Sequence, residues 1–253
     1  MNPSLLMVVL VGAGIGFLGG LLGKGGSAIA TPVLVAFGVP PIIALAAPLP
    51  ATVPGTLVAA DRYRRSGLVR WDVVRWSLIA GVPATIVGAA LTRWIDAGNL
   101  VLVTDALLVV IGLRLVVEAR RDHDATADED GAATDTTGRA VAVAVVTGLA
   151  AGLLANSGGF LLAPLFIAVL GLSVKPALGT SLVVASVLAV PGTAIHFALG
   201  HLDAAVVLAF AAGSVPLSSL GAKVALRTDP GRLELGYGVA LVLMGGAFLL
   251  AAL

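Results

Sequence analysis

Two glycine-rich stretches hold the residues best suited to chemistry. GLLGKGGSAIATP spans residues 20–32 and GLLANSGGFLLAP spans residues 152–164. Each joins a run of small apolar residues to a second, short apolar run through a break. A helix that starts after such a break points N–H groups with no intrahelical acceptor, and the positive end of its dipole, at the gap. Amides arranged in this way bind anions. Lys24, Gly25, Gly26 and Ser27 in the first stretch, with Asn156, Ser157, Gly158 and Gly159 in the second, are therefore read as an anion-binding set. The glycines let the backbone approach the solute, Lys24 neutralises it, and Asn156 and Ser157 add neutral donors. The competing reading is structural. Lys24 then snorkels to a membrane surface and the glycines serve close packing only.

Other residues are weaker candidates. Thr180 and Ser181, in ALGTSL, could line a solute path; the matched positions of the first half are Ala47 and Pro48, without hydroxyls. Asp105 sits in an otherwise apolar segment, and an acid there is a proton-coupling candidate. His196 is a second proton-relay candidate, with packing near a helix end as its plainer role. No His, Asp and Glu cluster has metal-ligand spacing and no Ser/His/Asp order suggests a triad, so neither metal, cofactor nor catalysis is expected. Gly23-Lys24 lacks the first glycine and the Ser/Thr of a phosphate loop. Gly14, Gly16 and Gly19 fit a dinucleotide fingerprint, but no strand precedes them. Gly12, Gly16 and Gly20, with Gly148 and Gly152, read instead as small-residue packing stripes.

These residues need a scaffold, and composition defines it. Of 253 residues, 58% are hydrophobic and 11% charged, against about 25% charged in soluble domains. The chain is read as an all-α, multi-pass membrane protein, because its apolar runs are long and do not alternate at period two. A net charge of +1 suggests no nucleic-acid partner, and the absence of cysteine excludes disulfides. The first residues lack a basic region and cleavage site, so they read as a membrane segment. Ten apolar segments fall at 4–22, 27–38, 42–60, 73–92, 98–117, 140–155, 160–171, 176–199, 204–226 and 233–252. Between the fifth and sixth lies a polar stretch, 118–139, holding seven of fourteen acidic residues; it reads as a solvated linker. The chain thus divides into a membrane repeat 1–117, the linker 118–139 and a membrane repeat 140–253.

The halves repeat each other. Gly12, Gly16 and Gly20 match Ala144, Gly148 and Gly152 at an offset of 132, as Lys24, Gly26 and Pro32 match Asn156, Gly158 and Pro164. Gly67 matches Gly200 at 133, and Val53-Pro54-Gly55 recurs as Val190-Pro191-Gly192 after a slip. Internal repeats are common in transporters. Loop 61–75 carries Arg62, Arg64, Arg65, Arg70 and Arg75, so the positive-inside rule puts it in the cytoplasm. Its counterpart around Gly200 has no Lys or Arg and reads as external. The repeats are therefore expected to be inverted, with linker 118–139 cytoplasmic and both termini external. Of fifteen basic residues this leaves only Arg93 outside and Lys24 unassigned. Segments 27–38 and 160–171, at about 18 Å, are too short for a core of roughly 30 Å. They are read as half-helices, either in re-entrant hairpins or completed by unwound backbone, and the two breaks as meeting near the midplane. Trp71, Trp76 and Trp94 read as interfacial belt residues, and Pro54 and Pro191 as matched kinks.

The doubled pattern resembles the TauE/SafE (sulfite exporter) family of permeases. The resemblance is carried by Gly25-Gly26 through Pro32, by Gly158-Gly159 through Pro164, and by Ala177-Leu178-Gly179-Thr180-Ser181, and it runs from Gly12 to about Leu226. It implies a plasma-membrane protein that moves sulfite, sulfonates or related organic anions, usually outward. Ala46-Ala47-Pro48 departs from the small-Thr-Ser pattern the family shows there. The expected partners are the bilayer, a small anion and a coupling ion, proton or sodium; a homo-oligomer is left open. A fixed-pore anion channel and a non-transporting membrane subunit are the rival readings.

Overall fold

The computed structural model describes residues 5–23, 27–91, 109–110, 112–114, 116–117, 136–153 and 159–252. The first half contributes α1 (Leu5–Leu22), α2 (Ser27–Ala36), α3 (Pro41–Ala46), α4 (Pro48–Arg65) and α5 (Trp71–Leu91). The second contributes α6 (Thr136–Leu153), α7 (Gly159–Leu170), α8 (Val174–Ala198), α9 (Ala204–Arg227) and α10 (Pro230–Ala252). The described residues of 109–117 are helical as well, and no strand occurs among the described residues. Among the described residues four stretches are long and apolar enough to cross a membrane: α1, the run Pro41–Arg65, α8 and α9. Large apolar side chains face outward, with Phe197 74%, Leu208 69% and Leu6 66% exposed. No Asp, Glu, Lys or Arg among the described residues is buried. Hydrocarbon on the outside and hydroxyls as the main buried polar groups are what a bilayer demands of a helical bundle. The protein is a multi-pass membrane protein.

Local chemistry explains where the helices stop. Gly67 and Gly200 both have φ of 70° and close α4 and α8. Only glycine enters that region without a Cβ penalty. After each, the chain folds back in the same way: Leu68 N–H donates to the Tyr63 carbonyl and His201 N–H to the His196 carbonyl, both at 3.0 Å. Gly38 and Gly171, also 133 positions apart, close α2 and α7 in the left-handed region. The α2 and α7 helices have 10 and 12 residues, or about 15 and 18 Å, so both are short as expected.

Two boundaries differ from the sequence reading. Segment 42–60 is two helices, parted at Ala47, because Pro48 and Pro50 have no N–H to continue α3. The second of these runs on to Arg65, so the connection is only 66–70 and Arg62, Arg64 and Arg65 are helical rather than in the loop. Asp61 pairs with Arg64 and Arg65 at 2.6 Å, three and four residues on, Arg62 donates to the Ser219 hydroxyl of α9, and the helix C-terminus favours cations. Residues 136–139, expected in the linker, form the first turn of α6.

Packing crosses between the halves. The α1 stripe of Gly12, Gly16 and Gly20 lies directly against the α9 backbone at Phe210, Ser214 and Ser218. In return, Gly213 and Gly221 of α9 lie against α1 backbone at Val9 and Phe17. The α5–α6 pair repeats this arrangement: Gly148 meets Gly81, and Gly88 meets Leu149. Gly88 and Gly221 are 133 apart, and their partners Leu149 and Phe17 are 132 apart. Between these pairs stand α4 and α8. Gly179, early in α8, touches Tyr63, late in α4, whereas Gly192, late in α8, touches Leu49, early in α4. The two helices are therefore antiparallel. The core around them includes Tyr63, Leu162, Phe166, Leu178, Leu182 and Leu188.

Candidate functional site

The first glycine-rich break begins where α1 ends, at Gly23, which has φ of 66°. A Cβ there would meet the Leu178 backbone and the Ser181 hydroxyl, both at 2.9 Å. The end of α1 is thus packed onto the ALGTSL segment of the other half. The contact is polar as well as steric. Ser181 Oγ lies 2.9 Å from the Gly23 carbonyl and 2.8 Å from the Leu178 carbonyl, so its hydrogen is held between backbone acceptors. Thr180 Oγ1 accepts the Arg70 backbone N–H at 3.0 Å. Both hydroxyl residues are fully buried.

The neighbouring loop explains this placement. The turn at Gly67 returns the chain across the end of α4, and Arg70 pairs with Asp72 at 2.8 Å as α5 begins. The Arg70 guanidinium holds the Asp72 carboxyl below the usual carboxylate range, against a smaller opposing effect of burial. The loop is thereby fixed with the Arg70 N–H aimed at Thr180. Tyr63 closes the same region by packing on Gly179, and its hydroxyl has no partner among the described residues. Ser181 is the eighth residue of α8, about 10 Å from its start. The start of the first break thus lies in the half of α8 that packs against Tyr63 and the Arg70 connection.

The remaining expected site residues divide in two. Lys24, Gly25, Gly26, Asn156, Ser157, Gly158 and Asp105 lie outside the described residues. Ser27 and Gly159 are the first residues of α2 and α7, so a short helix starts after each break. His196 is not brought to Thr180 and Ser181. It sits in the last turn of α8, fifteen residues further on, about 22 Å along the axis. There its Nδ1 is 3.2 Å from Nδ1 of His201. Among the described residues no three His, Cys, Asp or Glu are placed to hold a metal. Trp71 is more than half exposed at the start of α5, and Arg75 stacks its guanidinium 5.7 Å from the Trp76 ring.

Sequence reasoning missed two features. The first is Arg70, whose backbone reaches Thr180 across 110 positions with no local signal. The second is a run of cavities beside α4. An open groove of about 410 Å³ borders Leu57, Val58, Arg62 and Arg65, and an apolar groove of about 600 Å³ borders Val53, Val190, Phe197 and Leu208. Between them along α4 lies a cavity of about 20 Å³ whose lining includes Thr52, Thr56, Ser214 and Ser218.

Comparison with known proteins agrees with this architecture. The family model described as Sulfite exporter TauE/SafE matches residues 8–248. A "Probable membrane transporter protein" of Xylella fastidiosa is 26% identical over 246 residues, covering 95% of this chain and 93% of the relative. A protein of the same description from Haemophilus influenzae is 25% identical, covering 96% and 97%. The "Probable membrane transporter protein YjnA" of Bacillus subtilis is 22% identical, covering 90% and 92%. No solved structure gives a significant match. The chain belongs to the TauE/SafE family.

Proposed function

Starting from this membership, we propose that the protein is a secondary transporter that exports a small anion, such as sulfite, a sulfonate or a related organic anion, across the plasma membrane. The observation that carries the reading is the bond between Ser181 Oγ and the Gly23 carbonyl. It packs the start of one glycine-rich break against the hydroxyl pair of the other half. Lys24 follows Gly23 directly in the chain and supplies the countercharge. Gly25, Gly26 and Ser27 supply backbone amides at the entry to α2, and Thr180 adds a hydroxyl next to Ser181 in α8. Asn156, Ser157, Gly158 and Gly159 supply the equivalent group at the entry to α7. The solute is small, anionic and held mainly by main-chain donors, which suits oxyanions of several shapes.

The repeats are inverted in this reading. The antiparallel contact of α4 with α8 and the exchange of equivalent partners between α1–α9 and α5–α6 support it. Connection 66–70 faces the cytoplasm, and Gly200 with both termini faces outward. Inverted repeats give alternating access when one group of helices rocks against another around a fixed site.

The test is flux in proteoliposomes with sulfite, simple sulfonates and small carboxylates. Saturable uptake with counterflow is expected. Lys24→Ala should raise the apparent KM by about tenfold, the size of one charge-assisted contact, and Lys24→Arg should restore most of it. Flux of none of these anions would remove the transport reading. Flux without saturation or counterflow would favour a fixed pore.

A further inference from the structure

The cavity of about 20 Å³ at the junction of α1, α4 and α9 has a donor–acceptor imbalance that identifies its guest. Thr52 donates its hydroxyl to the Pro48 carbonyl at 2.9 Å, Thr56 to the Thr52 carbonyl at 2.7 Å, and Ser218 to the Ser214 carbonyl at 2.8 Å. A hydroxyl has one hydrogen and two lone pairs. With the hydrogens used on their own helices, these three oxygens can only accept. Ser214 Oγ, on a residue 5% exposed, borders the same cavity and has no hydrogen-bond partner among the described residues. Leaving such a group unpaired costs about 1–3 kcal/mol. The lining therefore offers the lone pairs of four oxygens against a single free hydrogen, that of Ser214.

That lining repels anions and attracts a cation or a proton donor. Among the described residues no carboxylate borders the cavity, and carboxylates are the ligands that divalent hard cations favour. The volume admits about one water-sized guest. The cluster is also not a property of the duplicated scaffold. At an offset of 133, the one Gly88 and Gly221 share, Thr52, Thr56 and Ser214 correspond to Ala185, Ala189 and Gly81, and only Ser218 meets a hydroxyl, Thr85. At that second junction the fully buried Leu188 lies 3.3 Å from where a Cβ on Gly81 would stand. That junction keeps one hydroxyl of the four, Thr85, bonded to the Gly81 carbonyl at 2.8 Å, and is otherwise filled by hydrocarbon.

We propose that this cavity is a sodium site, bound by the hydroxyl oxygens of Thr52, Thr56, Ser214 and Ser218. An ion there ties α4 to the α1–α9 pair. Its role as the ion that drives export rests on the transport reading above; its binding does not. A ligand shifts a conformational equilibrium only by its differential affinity for the two states. A guest held by oxygens on two helices loses ligands when those helices separate, and that supplies the difference.

The experiment uses the full chain in detergent. The unfolding midpoint is followed as NaCl replaces choline chloride at constant ionic strength, with KCl in parallel. Sodium should raise the midpoint saturably, and potassium and choline should not. Ser214→Ala and Thr52→Val should each raise the half-saturating sodium concentration by about tenfold. Thr52→Ser keeps the oxygen and should retain the wild-type value. Thr147→Val removes a hydroxyl with the same helix-internal bond, to Val143, but away from this cavity, and should leave sodium binding unchanged. A midpoint indifferent to sodium, or a response unchanged in the Ser214→Ala, Thr52→Val double variant, would overturn the proposal and leave water as the guest. The two readings fail separately. Sodium binding without flux of any anion sinks transport alone, and anion flux without sodium binding sinks this site alone.

Discussion

Gly16→Ala and Gly14→Ala are the same substitution two residues apart in α1, and the structure predicts opposite outcomes. A Cβ at Gly16 would sit 2.5 Å from Ser214 Cα and closer still to the Ser214 carbonyl oxygen, whereas one at Gly14 would meet nothing within 4 Å. Ordinary contact begins near 3.4 Å, so α1 must retreat from α9 by about 1 Å along its length, and backbone cannot rotate out of the way as a side chain can. Overpacking of this kind costs about 1–3 kcal/mol. Both variants gain about 1 kcal/mol of helix propensity, and that gain cancels in the comparison. Gly14→Ala should therefore be neutral or slightly stabilising, with Gly16→Ala lower by about 1–3 kcal/mol. At roughly 2–4 °C per kcal/mol for a chain of this length, the gap in apparent midpoint is several degrees. Detergent-purified protein, heated and scored by the monodisperse peak remaining on size exclusion, gives the readout. Equal midpoints for the two variants would refute backbone-to-backbone packing of α1 on α9, and with it the register of the Ser214 cavity. Gly148→Ala, whose Cβ would lie 2.5 Å from the Gly81 carbonyl, should behave like Gly16→Ala in the α5–α6 pair.

Two further outcomes follow from the same geometry. Ser181→Ala removes the hydroxyl that ties α8 to the end of α1 and should lower stability by about 1 kcal/mol, with a larger effect on substrate KM than Ser186→Ala, whose hydroxyl bonds only within α8; equal effects would place Ser181 outside the site. The chain has no cysteine, so single cysteines report sidedness without background. Ser66→Cys in whole cells should resist an impermeant maleimide until the membrane is opened, while Leu202→Cys should react at once; labelling of both from one side would rule out inverted repeats.

Much of the scaffold was legible because the bilayer constrains it so tightly. Hydropathy placed the helices, and short apolar runs identified α2 and α7 before any contact was known. The offset between the halves was visible at Gly67 and Gly200, which close α4 and α8 with the same φ. Gly38 and Gly171, and Pro83 and Pro216 inside α5 and α9, carry the same offset but are single common residues that composition hides. The ends of α4 were misjudged for opposite reasons. Hydropathy falls at Arg62 although the helix continues on Asp61–arginine pairs, and it stays high across Ala47 although prolines interrupt the chain. The hydroxyl cavity was illegible because its members come from α4 and α9, some 160 positions apart. Nothing in the sequence distinguishes Thr52, which borders a void, from Thr147, which only bonds its own helix.

The contacts also restrict how such a protein can move. Rocking of one sequence half against the other would peel α1 from α9 and α5 from α6. Those are the seams where glycines let main chains touch, so the loss would include van der Waals contact along whole helices, with no side chains long enough to follow the separation. The contacts of these pairs with α4 and α8 include side chains, the Ser218 hydroxyl facing Gly55 of α4 and Leu188 of α8 facing Gly81, which can change rotamer and slide. The stiff units are therefore the α1–α9 and α5–α6 pairs, each built from one helix of either half. The compliant seams run between these pairs and the central α4 and α8. Both candidate ligand positions lie on those seams, at Gly23 against Ser181 and at Thr52 beside Ser214. A guest at either position bridges a pair to a central helix, so its binding energy is spent where the structure can yield.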